Sequence, residues 1–244
     1  MKENGIWEYR FKVRSFDVDK TNRMTPTAIS EYLQEVAGEH ANSVGFGYRQ
    51  VIEQQMVWVL NGIRIEVLRM PVWEENIRIE TWVVGNERFI SRRDFRWYDE
   101  QGNNVLNATT NWILYHTERH RPQLVDQMNF PVQMHPELLA TSSAVQNIRH
   151  KFEKATKTEY RVRYSDLDMV GHMNNTKYIQ VLMDSYAPGF HQQNSFKSLD
   201  INFKAEARFD DLLILSSQAE EPCFYHQLQR AEDGKVNCMA RIEW

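Results

Sequence analysis

Apolar and polar positions along this chain fall into two similar programmes. Ala28, Ile29, Tyr32, Leu33, Val36 and Ala37 recur at helical spacing, with Glu31, Gln34, Glu35 and Glu39 on the opposite face. Tyr178, Ile179, Leu182, Met183 and Tyr186 repeat the pattern, and Pro188-Gly189 is expected to end that segment. Strand signals follow each helix. Residues 56–59 are apolar, 63–67 alternate with Arg64 and Glu66, and Ile77, Ile79, Thr81 and Val83 alternate with Arg78, Glu80 and Trp82. Residues 92–98 and 105–115 flank Asp99-Glu100-Gln101-Gly102, a hairpin turn. In the second half, residues 199–205, 212–220, 224–230 and 236–244 read as strands, with Glu232-Asp233-Gly234 as the equivalent turn. Each half is therefore an early helix followed by an antiparallel meander, an α+β arrangement in which each helix buries its apolar face against a sheet.

The halves align. Residues 11–19 match 160–168 without a gap at an offset of 149, which also carries Met24 onto Met173 and Thr27 onto Thr176. Anchoring Trp73-Glu74-Glu75 on Phe209-Asp210-Asp211 places Met70 opposite Glu206. Residues 116–151, with Pro122, Pro131 and Pro136, lack a long regular period and read as a connection across a sheet face. Leu124, Phe130, Val132, Leu138 and Leu139 are its expected anchors. The units are drawn at 1–140 and 156–244, with 141–155 as the end of the linker.

Composition narrows the function. A net charge of -4, without a Lys/Arg block interleaved with aromatics, does not suggest nucleic-acid binding. The two cysteines, Cys223 and Cys238, cannot form a disulfide framework or a Cys-rich zinc site, and His116, His120, His135 and His150 show no ligand spacing. No metal or cofactor is expected. The first nine residues lack the apolar run of a signal peptide and no bilayer-length apolar stretch follows, so no membrane association and a cytoplasmic location are expected. Gln54, Met56, Trp58, Met70, Trp73 and Trp82 are candidates for cavity lining, although such clusters more often fill core.

Candidate chemistry concentrates between Tyr164 and Tyr178. Asp166, Asp168 and His172 crowd a polar turn before a helix, and Glu206 is brought near by the meander; together they offer acid, base and orienting roles. The structural alternative makes Asp166 a turn cap and His172 an exposed histidine. Asn174 and Asn175 at the helix entry are either caps or donors to a developing oxyanion. The first copy holds Arg23, Thr25, Pro26 and Met70 where the second holds His172, Asn174, Asn175 and Glu206, which favours one active site per chain.

With Asp166-Leu167-Asp168 followed by Gly171-His172-Met173-Asn174-Asn175-Thr176-Lys177-Tyr178, the chain resembles the acyl-acyl-carrier-protein thioesterases, in which two hotdog units are fused. Arg92-Arg93-Asp94-Phe95, Ala108-Thr109-Thr110-Asn111-Trp112 and the approach to Glu206 through Phe203-Lys204-Ala205 extend the resemblance over nearly the whole sequence. It implies two tandem hotdog units, hydrolysis of a fatty acyl thioester on acyl carrier protein, an acyl tunnel mainly in the first unit, and docking of the carrier through basic residues. Asp168, His172 and Glu206 fall at the family's catalytic positions. Val170 replaces the asparagine of the plant enzymes and Ala207 a frequent cysteine, which points to direct attack by water, with Glu206 as base and the N–H groups of residues 172–174 around the oxyanion. Glu206 is expected in a partly apolar cleft that raises its pKa. An acyl-CoA thioesterase and a non-catalytic acyl-binding protein are the alternatives. A homodimer is allowed but optional, because fused units can satisfy sheet pairing within one chain.

Overall fold

The computed structural model describes residues 5–244. Residues 1–4, part of the stretch read above as unlike a signal peptide, lie outside the described residues. The chain divides after Val145 into two compact units, residues 1–145 and 146–244.

In the first unit, β1 (Trp7–Lys12) precedes α1 (Pro26–Ser43) and the short α2 (Tyr48–Ile52). Four long strands follow: β2 (Met56–Val67), β3 (Asn76–Glu87), β4 (Ile90–Tyr98) and β5 (Asn104–His116); β6 (Arg121–Pro122) pairs with the end of β5. Their order is β1-β3-β4-β5-β2, antiparallel throughout. The Thr25 side chain starts α1 by accepting from the Ala28 N–H, and Pro26 occupies the first turn, where its missing N–H is harmless. Ile29, Leu33 and Val36 are fully buried on one face of the helix, and burying each such side chain contributes about 1.5–3 kcal/mol. Tyr32 joins that face to the sheet, with its ring stacked 3.8 Å from Phe11 and edge-on to Trp97. After Ser43 the helix stops and Gly45 turns with φ +77°, a conformation that costs glycine little. The two apolar segments expected at 56–59 and 63–67 form one strand, β2, with a register shift between Leu60 and Gly62.

The connection packs along the sheet. His135 N–H donates to the Val83 carbonyl (2.9 Å), Trp82 Nε1 to the Leu138 carbonyl (2.8 Å), and Ala140 N–H to the buried carboxylate of Asp94 (2.7 Å). Leu138 packs against Ile6, Trp82 and Val84, and Phe130 against the cluster of Val51, Met56, Leu114 and Val125. Leu139 is not an anchor: it is 47% exposed, because the peptide groups flanking it are the parts held to the sheet.

The second unit repeats the plan with β7 (Thr156–Arg161), α3 (Asn175–Asp184), α4 (Pro188–Gln193), β8 (Ser198–Phe203), β9 (Leu212–Glu220), β10 (Cys223–Arg230) and β11 (Val236–Glu243). Its antiparallel order is β8-β11-β10-β9-β7. Pro188 begins α4 rather than merely ending the preceding helix. It takes the first helical position, whose N–H needs no partner, and extended Ala187 precedes it. Tyr186 stands at the centre of an aromatic cluster with Phe190, Phe224 and Trp244, and its hydroxyl meets His226 Nε2 at 2.7 Å. Burial holds His226 neutral and lowers its pKa to about 4.

Candidate active site

The polar turn between β7 and α3 is built on a buried carboxylate that is structural. Asp166 accepts from the Tyr160 hydroxyl and the Arg163 N–H, both at 2.7 Å. Its first-copy counterpart Asp17 accepts from the Tyr32 hydroxyl (3.1 Å) and the Arg14 N–H (2.8 Å). Both units therefore use the same device, which matches the turn-capping alternative for Asp166. Desolvation together with the bond to Asp166 pushes the Tyr160 phenol up to about 12.

Asp168 sits one step further along. Its Oδ1 accepts from the Val170 N–H (3.0 Å) and the His172 N–H (3.1 Å), while its own N–H donates to the His172 carbonyl (2.8 Å). Gly171, at φ +82°, closes this loop by donating to the Asp168 carbonyl. Asp168 thus grips the His172 backbone; among the described residues no hydrogen bond joins its carboxylate to the imidazole.

The ring of His172 faces Glu206 instead. His172 Nε2 lies 3.1 Å from Glu206 Oε2, and the two side chains are 27% and 60% exposed. Main-chain contacts set this distance, since Met173 N–H donates to the Ala207 carbonyl (2.8 Å) and His172 forms a bridge with Arg208. Glu206 is not in the apolar cleft expected for it: it is largely solvated and pairs with an imidazole. The first copy keeps the scaffold, with Met24 N–H on the Pro71 carbonyl (2.8 Å) and Arg23 bridged to Val72. Pro71 thereby corresponds to Ala207, so Met70 holds the place of Glu206 as the sequence alignment expected. Ala207 itself is fully buried, and its carbonyl is the contact that matters.

The oxyanion donors expected at residues 172–174 are already used. His172 N–H goes to Asp168, Met173 N–H to Ala207, and Asn174 N–H to the Asp166 carbonyl (2.8 Å). Asn174 is the cap of α3, with Oδ1 accepting from the N–H (2.9 Å) and hydroxyl (3.0 Å) of Thr176. Asn175, the first residue of α3, has neither its N–H nor its side-chain amide engaged among the described residues. The neighbouring asparagines therefore differ: one is committed to the fold, and the other is free at the positive end of a helix.

In the first unit, Gln54 and Met56 line a 720 Å³ cleft with Phe89, Leu124 and Met128. Trp82 is core, Trp58 packs on Phe130, and Trp73 is exposed. Among the described residues no group of three or more His, Cys, Asp or Glu side chains could hold a metal ion, and no helix is long and apolar enough to cross a membrane.

A family model for the acyl-ACP thioesterase N-terminal domain matches residues 5–128, and one for the C-terminal domain matches residues 149–244. The chain belongs to the acyl-ACP thioesterase family. Family membership fits the two α+β units. The chain is 26% identical over 246 residues to the chloroplastic oleoyl-acyl carrier protein thioesterase of Coriandrum sativum, covering 91% of this chain and 65% of that protein. An Arabidopsis thaliana oleoyl-acyl carrier protein thioesterase, also chloroplastic, is 27% identical over 241 residues, with the same coverages. The chain thus spans 65% of the length of these relatives. Among solved structures, an acyl-ACP thioesterase of Bacteroides thetaiotaomicron superposes with a TM-score of 0.83 at 25% identity, covering 100% of this chain and 99% of that one. The 12:0-ACP thioesterase of Umbellularia californica shares the fold, with a TM-score of 0.81 at 21% identity and coverages of 98% and 96%.

The cytoplasmic location expected from composition is overturned, because the curated relatives are named as chloroplastic enzymes. An apolar run marks a secretory signal alone, whereas chloroplast transit peptides are amphipathic and Ser-rich, so the feature read above does not separate cytoplasm from plastid.

Proposed function

We propose that the protein hydrolyses the thioester of a fatty acyl group carried on acyl carrier protein, releasing the free acid and the carrier thiol. The observation that supports this most directly is the pairing of His172 Nε2 with Glu206 Oε2 at 3.1 Å, across two loops whose first-copy equivalents have Arg23 and Met70. Glu206 takes a proton from water as the oxygen attacks the thioester carbonyl carbon. The oxyanion is met by Asn175, through its N–H and side-chain amide at the start of α3. Collapse breaks the C–S bond, and the thiolate recovers the proton from Glu206. His172 holds and orients the Glu206 carboxylate through Nε2, and Asp168 is a positioning residue that holds His172 by its backbone. The first unit is catalytically silent and receives the acyl chain.

Thiol release from matched acyl-carrier-protein and acyl-CoA substrates tests this reading. Turnover is expected to be faster on the carrier protein and to be lost in Glu206→Gln and His172→Ala. Faster turnover of the CoA substrate would reassign the carrier, and turnover that survives both substitutions would overturn the site.

A further inference from the structure

The last strand of each meander, β5 or β11, opens with a bulge three residues beyond the turn glycine, Gly102 or Gly234. In the first unit Trp97 pairs with Leu106 and Tyr98 with Asn104, so Val105 is the extra residue. In the second, Leu228 pairs with Cys238 and Gln229 with Val236, so the extra residue is Asn237. The main chain uses both bulges alike. The Val105 carbonyl accepts from the N–H groups of Leu68 and Arg69, each at 3.0 Å, and the Asn237 carbonyl from those of Lys204 (2.8 Å) and Ala205 (3.3 Å). The residue that follows is Met70 in the first unit and Glu206 in the second.

The side chains differ. Val105 is buried and apolar, whereas Asn237 is a fully buried amide. Asn237 Nδ2 donates to the Glu206 carbonyl at 3.0 Å and to the Ala205 carbonyl at 3.3 Å. Two carbonyl acceptors fix which way the amide faces, since its own oxygen cannot donate. That oxygen, Oδ1, is buried without a partner among the described residues. Such a group costs stability that a valine would not, so the amide at this position requires an explanation. The two carbonyls it holds belong to the peptide groups on either side of the Glu206 Cα. Peptide groups are planar, so pinning both fixes φ and ψ of Glu206 and with them the direction of its Cβ. The Glu206 side chain is 60% exposed, which leaves the backbone to set its aim.

We propose that Asn237 is a positioning residue for Glu206: from the second shell of contacts its amide pins the Glu206 backbone and so aims the carboxylate at His172 Nε2 and at the attacking water. The inference rests on the hydrolytic role proposed for Glu206. It accounts for the asymmetry between the units, because the bulge and its carbonyl contacts recur in both while the amide stands only where a carboxylate has to be aimed. Asn237 touches neither substrate nor water and acts through Glu206 alone.

The test is Asn237→Val, which gives the second unit the residue of the first. The urea midpoint is expected to hold or rise, because the orphaned oxygen is removed. On an acyl-carrier-protein thioester, kcat is expected to fall by about ten-fold to a hundred-fold with KM within about two-fold, the scale of a misplaced reacting group. In a Glu206→Gln background the same substitution is expected to lower kcat no further. An equal loss in both backgrounds, a kcat unmoved by Asn237→Val, or a loss that follows the urea midpoint would overturn the proposal. Asn237→Leu, closer to asparagine in shape, carries the same comparisons should Asn237→Val fail to fold; failure of both to fold would assign the amide to the fold alone and overturn the proposal. Crystals of wild type and variant supply a readout that needs no turnover. The His172 Nε2 to Glu206 Oε2 separation, 3.1 Å in the wild type, is expected to open beyond about 4 Å, and an unchanged separation would overturn the positioning role. No thiol release by the wild type, or full activity of Glu206→Gln, would instead refute the hydrolytic role of Glu206, and the crystals would still decide whether Asn237 aims its carboxylate.

Discussion

His172 and Glu206 are 34 positions apart in sequence, yet Nε2 of one stands 3.1 Å from Oε2 of the other. Two main-chain contacts on the same pair of loops, Met173 to Ala207 and His172 to Arg208, set that separation. The pair is therefore preorganised by backbone and can lose either side chain without losing the loop.

Glu206→Gln is accordingly expected to lower kcat by about 10²–10⁴, the usual range for removal of a general base. Stability should stay within about 0.5 kcal/mol, because the group is largely solvated. Thiol-release kinetics and urea denaturation on the same preparation check both halves. A loss of activity that tracks a loss of stability would show the residue to be structural.

The adjacent asparagines should separate cleanly. Asn174→Ala removes the α3 cap and is expected to cost about 1 kcal/mol, recovered by Asn174→Asp or Asn174→Ser. Asn175→Ala should leave the urea midpoint unchanged while lowering kcat by about ten-fold or more, less than complete loss of an oxyanion donor because the backbone N–H remains. If Asn175→Ala changes only KM, the amide binds substrate and does not serve the transition state.

The two buried aspartates at equivalent turns predict a stability effect. Asp166→Ala deprives the Tyr160 hydroxyl and the Arg163 N–H of their acceptor, at a cost of about 2–3 kcal/mol. Asp17→Ala should act similarly in the first unit. Equilibrium unfolding followed by tryptophan fluorescence measures each, and a change below about 0.5 kcal/mol for Asp166 would remove it from the framework of the turn.

Acid should destabilise the second unit through His226. Its folded pKa is lowered to about 4 by burial, against roughly 6.5 in the unfolded chain. Between those values the unfolded state binds the proton and the folded state does not. Stability is thus fully present above pH ~6.5 and is lost at up to about 1.4 kcal/mol per pH unit as pH falls towards 4. Urea midpoints for the wild type and His226→Gln across this window isolate the contribution. Parallel curves would exclude it.

Much of this protein is legible from one dimension. The two helices, the two meanders and the confinement of His172, Asn175 and Glu206 to one copy follow from periodicity and from a repeat that needs no long-range information. Even the equivalence of Met70 and Glu206 was reachable from a short anchor. Hydrogen-bond allocation was not. That Asp168 grips the His172 backbone, and that Asn174 is spent as a cap while Asn175 is free, depends on how the turn folds over itself and onto the Ala207 carbonyl. Leu139 reads as an anchor until the peptide groups on either side are seen to be the parts held. Arg92 and Arg93 are adjacent in β4, and alternation says only that they face opposite ways. Tertiary packing decided that Arg92 pairs with Asp94 and that Arg93 is buried beside His40, because the face of a sheet that α1 covers is set by contacts far apart in the chain.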